Sequence, residues 1–569
     1  MEAESQVVEA DEANAGSQGR TDAIDAAFIA EPARVLRPTL SSASTFFQPS
    51  NSAEMMVYKW ISDMGPDVEI DFLNSMRRFA SIVPDGAVAR WSLFSGSGVA
   101  TRFYEALQNV LHSHLGIDVV FETCLYSDWN EDKQKHIVEQ FKPQFLVGDV
   151  KKLKGASSEN EARDGTIELL PYCFSLDGGP PCTSRTPLSS RRTANINCIQ
   201  ENREATGVGF GDTLKVVKQH WPQIVNLECV KELVQESCEK EVSDAEWFSQ
   251  QLRHVGYWAH TDIMDASDFG SFPPRKRLYW SAMLNLVGSQ QEIAHFFNRV
   301  LVACKCGEVP GLPDLVDMDE DLRTQSSMTT GVPLHSSVGP RDSKTAKTDL
   351  SWKHEHMVLF QSNGIPWPFD HSAPPMGKDT FLSDGLLPRE VEATVFLHRV
   401  FKMPSECQSQ FLDVNPTLSR VAKRFLDDET GRPKELVEES DEQPSSPWRP
   451  TPPTLVGSMA MIVRYRCAEN GIITVRLLEG FELFRMIGWD DSMWRNVTPP
   501  TEKGSDYIEL LSNMAGNAYT MYHFGPWALA SLATFGRFWK NPESDEVVID
   551  VDGGCDEGQP ASSDSEPLP

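Results

Sequence analysis

Apolar runs of strand length recur through the first half of the chain, each stopping at a small or charged residue. Arg90-Trp91-Ser92-Leu93-Phe94 stops at Ser95-Gly96-Ser97-Gly98, Val119 to Tyr126 at Ser127-Asp128-Trp129-Asn130, and Phe145-Leu146-Val147 at Gly148-Asp149. Val99 to Leu111 carries its apolar residues at helical spacing, and a polar helix is predicted after Asn130. Strands at intervals of roughly thirty residues with helices between them predict βαβ units and a parallel sheet. A fourth run, Cys173-Phe174-Ser175-Leu176, enters Asp177-Gly178-Gly179-Pro180-Pro181-Cys182-Thr183-Ser184-Arg185. Glycine permits a tight turn and proline fixes φ, so Cys182 is expected to be held rigidly at a strand end.

The pattern continues with a helix over Thr213 to His220, the strand Ile224-Val225-Asn226-Leu227 ending in Glu228, a helix over Ala245 to Val255 and a strand over Trp258 to Ile263. Arg275-Lys276-Arg277 then enters the apolar run Leu278-Tyr279-Trp280; alternate arginines entering a strand lie on one face. Upstream, Ile70, Phe72, Leu73, Met76, Phe79 and Ile82 predict a helix leading into the fold. After about residue 290 the texture turns to Pro, Ser and Asp with scattered aromatics, which reads as a loop-rich second domain. Order returns at Thr474 to Leu478, a helix over Glu482 to Ile487, Asn513 to Tyr519 and a long apolar helix over Trp527 to Trp539.

A chain of 569 residues has room for two or three domains. It contains no apolar run near the ~20 residues of a membrane span, and its acidic first thirty residues show no signal core. Eleven cysteines without regular spacing fit a reducing compartment. The net charge of −30 argues at first against a polyanionic partner. However, residues 1–50, 426–443 and 541–569 carry −5, −6 and −9 of it, leaving −10 for the remainder. These acidic stretches are expected to be disordered tails and a linker. Cys304-Lys305-Cys306 and His354-Glu355-His356 lack zinc-ligand spacing, so no metal is expected.

The strand ends carry the candidate chemistry. A thiol (Cys182), a carboxyl (Glu228) and two guanidiniums (Arg275, Arg277) at the ends of successive strands converge on the crevice of an open α/β sheet, which suits attack on a polarised ring. Gly96 and Gly98 allow a ligand near the backbone at a helix start, although an ordinary turn has the same pattern. Asp128 suits the two hydroxyls of a ribose or, equally, a helix cap. Trp129 offers an adenine a face, and Asp149 can accept from its amino group. Ser189, Ser190, Arg191 and Arg192 form a basic segment able to contact phosphates, or a solvated loop.

Taken in order, these pieces resemble the DNA cytosine-5 methyltransferases. Phe94 to Gly98 resembles the first motif of that family, Ser127 to Asn130 the second and Gly148-Asp149 the third. Pro181-Cys182 matches the nucleophile motif, Leu227 to Val230 resembles Glu-Asn-Val, and Arg275-Lys276-Arg277 resembles Arg-x-Arg. Arg476, Glu482, Arg485 and Gly488 resemble the motif after the target-recognition domain, and Gly516-Asn517 the last. Thr183, Cys229 and Pro273 stand where that family usually has glutamine, asparagine and glutamine.

The resemblance implies a Rossmann-like, mostly parallel α/β sheet of the S-adenosylmethionine-dependent methyltransferase kind, with a smaller, loop-rich target-recognition domain. The expected layout is a tail at 1–50, a catalytic domain at 51–290, a recognition domain at 291–475 with an acidic linker near 427–450, a return to the catalytic domain at 476–540 and a tail at 541–569. S-adenosyl-L-methionine is the implied cofactor, held by Phe94, Gly96, Gly98, Asp128, Trp129, Asp149 and Asn517. The implied substrate is a flipped cytosine in DNA, and the expected location is the nucleus. Cys182 is the implied nucleophile at ring carbon 6, Glu228 the proton donor to nitrogen 3, and Arg277 with Arg275 the stabiliser of the carbonyl oxygen. The three departures and the acidic balance keep open a non-catalytic or weakly active protein that binds cofactor or nucleic acid, and the shared cysteine chemistry keeps open an RNA cytosine methyltransferase. A nicotinamide-dependent oxidoreductase is the rival at the level of the fold.

Overall fold

A computed structural model describes residues 52–186, 194–236 and 242–306, shorter stretches between 315 and 499, and 502–541. The acidic stretches expected at 1–50, near 427–450 and at 541–569 lie outside the described residues, apart from Arg449, Pro450 and Asn541 at their margins. The segment Ser189 to Arg192 and the run His354-Glu355-His356 also lie outside them. No helix among the described residues is long and apolar enough to cross a membrane.

The chain forms β1 (Ala87–Leu93), β2 (Val120–Ser127), β3 (Phe145–Val147), the hairpin β4 (Ser157–Asn160) and β5 (Thr166–Leu169), then β6 (Ser175–Gly178), β7 (Ile224–Val230), β8 (Trp258–Asp265) and β9 (Lys276–Met283). Seven of these make one sheet in the order β3-β2-β1-β6-β7-β9-β8. All of its pairings are parallel except those of β9, which runs against both β7 and β8. The mixed α/β fold with a mostly parallel sheet therefore forms as expected. The reversal of β9 was not foreseen, because a period of two reads the same in either direction. The order turns back between β1 and β6, and the crevice beyond the carboxyl ends of those strands is where such sheets bind ligands.

Helices cover both faces. They are α1 (Ser52–Ser62), α2 (Pro66–Ile82), α3 (Val99–Leu115), α4 (Glu131–Phe141), α5 (Glu204–His220), α6 (Asp244–His254), α7 (Gln290–Ala303), α8 (Glu320–Thr330), α9 (Gly480–Arg485), α10 (Ser505–Asn517) and α11 (Met521–Phe538). Strand residues alternate between two apolar layers. Val88, Ile224, Tyr279 and Met283 join Phe79, Phe103, Phe297 and Trp527 from α2, α3, α7 and α11. Trp91, Leu176, Val225, Leu227 and Trp280 join Phe210, Val217, Phe248 and Leu252 from α5 and α6. α7 is tied to α11 by the edge-on rings of Phe297 and Trp527, 4.8 Å apart.

In the later part of the chain, β10 (Ser409–Asp413), β11 (Met461–Arg466) and β12 (Ile473–Leu477) form a separate antiparallel sheet. Immediately after β12 lies a buried knot of charge. Arg476 donates to both carboxyl oxygens of Glu482 at 2.7 and 2.8 Å and to the Asp317 carbonyl at 2.7 Å. Arg485 pairs with Asp317 at 2.9 Å and also with Asp491. Glu479 caps α9, accepts the His335 N–H at 3.0 Å and pairs with Arg323 at 3.5 Å. The residues of that sequence motif thus tie the 315–338 segment to the start of α9.

Candidate active site

β6 is wholly buried and ends at Gly178, and four residues later the half-buried Cys182 emerges beside an exposed Thr183. The loop between is anchored at several points. The Arg185 N–H donates to the Cys182 carbonyl at 3.0 Å. Asn195 donates to the Ser184 carbonyl at 3.2 Å, and the Arg185 side chain donates to the Glu232 carbonyl.

Beneath the loop runs a buried polar ladder that crosses the sheet. Arg90 on β1 donates to Asp177 Oδ2 on β6 from Nε and Nη2 at 3.2 and 2.6 Å, and to Thr123 on β2 at 2.8 Å. Asn226 on β7 donates to Asp177 Oδ1 at 3.2 Å. Ser531 on α11 donates to Asn226 at 2.8 Å and lies 2.8 Å from Ser281 on β9. Sequence reasoning missed this ladder; the available signal was a charged residue inside each of two apolar strands.

Glu228 lies on the same face of β7 as Asn226, one pleat nearer the strand end, and faces Tyr279 across the antiparallel pair with β9. Its Oε1 makes an ion-pair contact of 3.0 Å with Arg277 Nε. Burial pushes the Glu228 carboxyl up from its ordinary pKa, against the opposing pull of Arg277 and Arg275. Burial also pushes the Cys182 thiol up, aided by Glu228 and opposed by Arg277 and Arg275. The thiol therefore sits within electrostatic reach of the carboxyl and both guanidiniums, as the order of strand ends predicts.

The two arginines take different partners. Arg275 is buried, and its Nη1 donates to the carbonyls of Leu455 at 2.9 Å and Gly516 at 3.1 Å. Burial and the neighbouring Arg277 pull it down to about 9, so it remains charged at neutral pH. Arg277 contacts Glu228, whereas Arg275 braces the start of β9 against Leu455 and the last turn of α10.

The other half of the crevice is built by the turns after β1, β2 and β3. Phe94 and Gly96 both have positive φ, 54° and 50°, and Gly98, at φ 73°, precedes the first turn of α3. A Cβ on Gly98 would lie 2.3 Å from the Phe141 ring, so the close approach of α4 adds to the backbone requirement for glycine. Asp128 is buried; it accepts the Gly96 N–H at 3.0 Å through Oδ2 and the Asn130 N–H at 3.0 Å through Oδ1. It thereby joins the first two turns. The cap of α4 is Asn130, which accepts from the N–H groups of Asp132 and Lys133.

Trp129 is 72% exposed, so its indole face is open to a ligand. Trp129, Gly148 and Asp149 line one groove of about 1120 Å³, together with Lys152 and Glu161. Asp149 accepts the Lys151 N–H at 2.9 Å through Oδ1. Asn517 ends α10, where its exposed amide donates to Asn513 at 3.1 Å. A glycine turn, a strand-end carboxylate and an open indole suit the backbone-side, ribose and adenine parts of a nucleoside cofactor.

Comparisons with known proteins find similarity over these elements. The family model described as C-5 cytosine-specific DNA methylase matches residues 88–309. Over 178 residues the chain is 29% identical to the Type II methyltransferase M.Bsp6I of Bacillus sp. (strain RFL6), a match covering 30% of this chain and 50% of that protein. The chain thus spans about half the length of this curated relative. The S. pombe Dnmt2 methyltransferase and the Entamoeba histolytica methyltransferase EhMeth align with 79% of this chain and 98% of theirs, each at 14% identity and a TM-score of 0.36. The match to the C-5 cytosine-specific DNA methylase model runs from β1 to α7, and so residues 88–309, which include Cys182, Glu228 and Arg277, are similar to that family.

Proposed function

We propose that this chain transfers a methyl group from S-adenosyl-L-methionine to carbon 5 of a cytosine in DNA through a covalent adduct of Cys182. The observation that carries the reading is the meeting of Cys182, a buried Glu228 and Arg277 at one edge of the sheet, where β6 and β7 end and β9 begins. The similarity of residues 88–309 to that family supports a cytosine as substrate and S-adenosyl-L-methionine as cofactor. With a chromosomal substrate the expected location is the nucleus.

Carbon 5 of cytosine is a poor nucleophile until a thiolate adds at carbon 6. In the proposed mechanism the Cys182 sulfur forms that bond, Glu228 gives its proton to ring nitrogen 3, and Arg277 stabilises the carbonyl oxygen as charge gathers on it. A bound cofactor supplies an electrophilic methyl group on a sulfonium. Loss of the carbon 5 proton to solvent then expels the sulfur as a thiolate, which regains the proton it gave up to solvent before attack, and the nitrogen 3 proton returns to Glu228. The Gly96–Gly98 turn and Asp128 are proposed to hold the nucleoside part of the cofactor, with Phe94 beside the turn and Trp129 stacking on adenine. Asp149 would accept from the adenine amino group, and Asn517 would complete the site from α10. The base must leave the helix stack to reach the thiol, at a cost of a few kcal/mol.

A duplex containing 5-fluorocytosine tests the reading, because fluorine blocks the last elimination and leaves the adduct in place. Wild type with cofactor is expected to become covalently linked, and Cys182→Ser is not. DNA and RNA versions presented side by side identify the substrate. A wild type that binds cofactor yet traps neither nucleic acid would favour a binding protein without turnover.

A further inference from the structure

The groove lined by Trp129 and Asp149 is also lined by a carboxyl that the proposed mechanism does not use, that of Glu161. Glu161 opens the short turn Glu161–Arg163 between β4 and β5. The residue before it, Asn160, is fully buried and clamps that turn to β3. The Asn160 side-chain oxygen accepts the N–H groups of Leu146 and Ala162, each at 3.1 Å, and its amide donates to the Gln144 carbonyl at 3.0 Å. Glu161 is thereby set against the end of β3. A Cβ on Gly148 would lie 2.6 and 2.7 Å from the two carboxyl oxygens of Glu161, so the glycine before Asp149 is what lets the carboxyl lie there.

Lys152 donates to Glu161 Oε1 at 3.2 Å and also pairs with Glu159 at 2.8 Å. Glu161 Oε2 accepts no hydrogen bond among the described residues. The side chain is 27% exposed and borders the same groove as the open indole of Trp129. An adenine amino group carries two N–H bonds, whereas a purine with oxygen at position 6 presents lone pairs there. Two carboxylates can accept both N–H bonds of the first and repel the oxygen of the second.

We propose that Glu161 is a cofactor-specificity residue: its Oε2 accepts the adenine N–H that Asp149 does not take, so that the two carboxylates together read an amino group at purine position 6. The inference rests on the reading of this groove as the adenine site of S-adenosyl-L-methionine. Lys152 supplies the counter-charge, and the clamp at Asn160 holds the acceptor in place before the ligand arrives.

The test compares two ligands by calorimetry on the full-length protein. One is S-adenosyl-L-homocysteine; the other is S-inosyl-L-homocysteine, which carries oxygen in place of the amino group. Wild type is expected to prefer the adenosyl ligand at least about a hundredfold, since two hydrogen bonds to charged acceptors are lost in the other. Glu161→Ala is expected to bind the adenosyl ligand about tenfold less tightly, the low end for such a bond because the site is partly open to water. It should bind the inosyl ligand no less tightly than wild type does. Glu159→Ala, which removes the other partner of Lys152, should leave both affinities unchanged. No loss in Glu161→Ala, an equal loss for both ligands, or the same effect in Glu159→Ala overturns the assignment. A wild type that binds neither ligand overturns the adenine reading of the groove and this inference with it. A wild type whose preference for the adenosyl ligand falls in Glu161→Ala, yet which traps no 5-fluorocytosine, counts against the covalent mechanism and leaves Glu161 in its role.

Discussion

Replacing Asp177 by alanine is expected to destabilise the protein far more than removing the whole Arg90–Asp177 pair. Both side chains are fully buried. The carboxylate accepts two N–H groups of Arg90 and one of Asn226. In Asp177→Ala the guanidinium keeps its bond to Thr123 and its position 3.5 Å from the centre of the Tyr104 ring, but it loses its counter-charge. An uncompensated buried charge of this kind costs about 3–5 kcal/mol. Set against a typical stability of about 5–15 kcal/mol, that loss places the variant near the margin of folding.

The double variant Arg90→Met with Asp177→Leu removes both charges and fills the space with apolar groups. The Asn226 amide and the Thr123 hydroxyl then each lose one partner, Thr123 keeping Thr101 at 3.1 Å, so the double variant is expected to lie within about 2 kcal/mol of wild type. Urea unfolding followed by the fluorescence of the buried tryptophans, among them Trp91 and Trp280, measures both. The argument fails if Asp177→Ala loses less than about 1 kcal/mol, or if the double variant is as unstable as the single one.

Three further outcomes follow from the same geometry. Alkylation of Cys182 by iodoacetamide, read by mass spectrometry, should have a midpoint above that of an ordinary thiol; Glu228→Gln should lower it and Arg277→Leu raise it, and the reverse order refutes the proposed proximity. Burial, with Glu482 adding to it, raises the Glu479 carboxyl from 4.5 to about 7. The folded state therefore holds the extra proton, and its stability from this group is greatest below about pH 4.5 and is lost as pH rises through 7. Relative to Glu479→Gln, wild type should lose about 3 kcal/mol between pH 4.5 and 8, measured by urea unfolding at each pH. Gly98→Ala, which meets the Phe141 ring at a positive φ, should weaken S-adenosyl-L-methionine binding at least about tenfold by calorimetry, since strain of ~1–2 kcal/mol falls on the turn itself. Gly65→Ala, with nothing within 4 Å, is the control that should bind as wild type does.

The sheet was legible because every strand but the edge pair carries its apolar residues in a continuous or alternating run that stops at a functional side chain. Cys182 and Glu228 could be named from those stops, and Arg277 from the apolar run that it enters. The charged ladder could not, since Arg90 and Asp177 are 87 positions apart and each alone looks like an interruption. α1 and α10 were also missed. In α10 attention fell on Gly516-Asn517, although Ile508, Leu511, Met514 and Ala515 are buried along one face of the helix at a spacing of three to four. Alternation places Arg275 and Arg277 on one face of the strand, yet only three-dimensional neighbours could show that one faces Glu228 and the other the carbonyls of Leu455 and Gly516.

The three departures from the resembled motifs acquire a physical meaning in this setting. Thr183 is exposed, so the residue after the thiol is not a buried amide, and the loop is anchored by Arg185 and Asn195. Cys229 lies in the apolar layer opposite Leu278, on the face away from Glu228. Pro273 offers no side-chain donor, and its carbonyl accepts from Ser271 at 3.0 Å. At each position a long polar side chain is replaced by a smaller group, so lateral support of the reacting trio by amides is reduced. What remains directly beneath Cys182 and Glu228 is the Arg90–Asp177–Asn226–Ser531 ladder, which joins β1, β6, β7 and α11 in one hydrogen-bonded row. A buried, fully paired row of this kind is stiff because breaking any link strands a polar group in a low-dielectric interior. The ladder, more than the loop's own side chains, therefore sets the distance between the sulfur and the carboxyl. For that reason the Arg90→Met with Asp177→Leu variant, though stable, should trap 5-fluorocytosine duplex at least about tenfold more slowly than wild type, as misplacement by about 1 Å does in a positioned site.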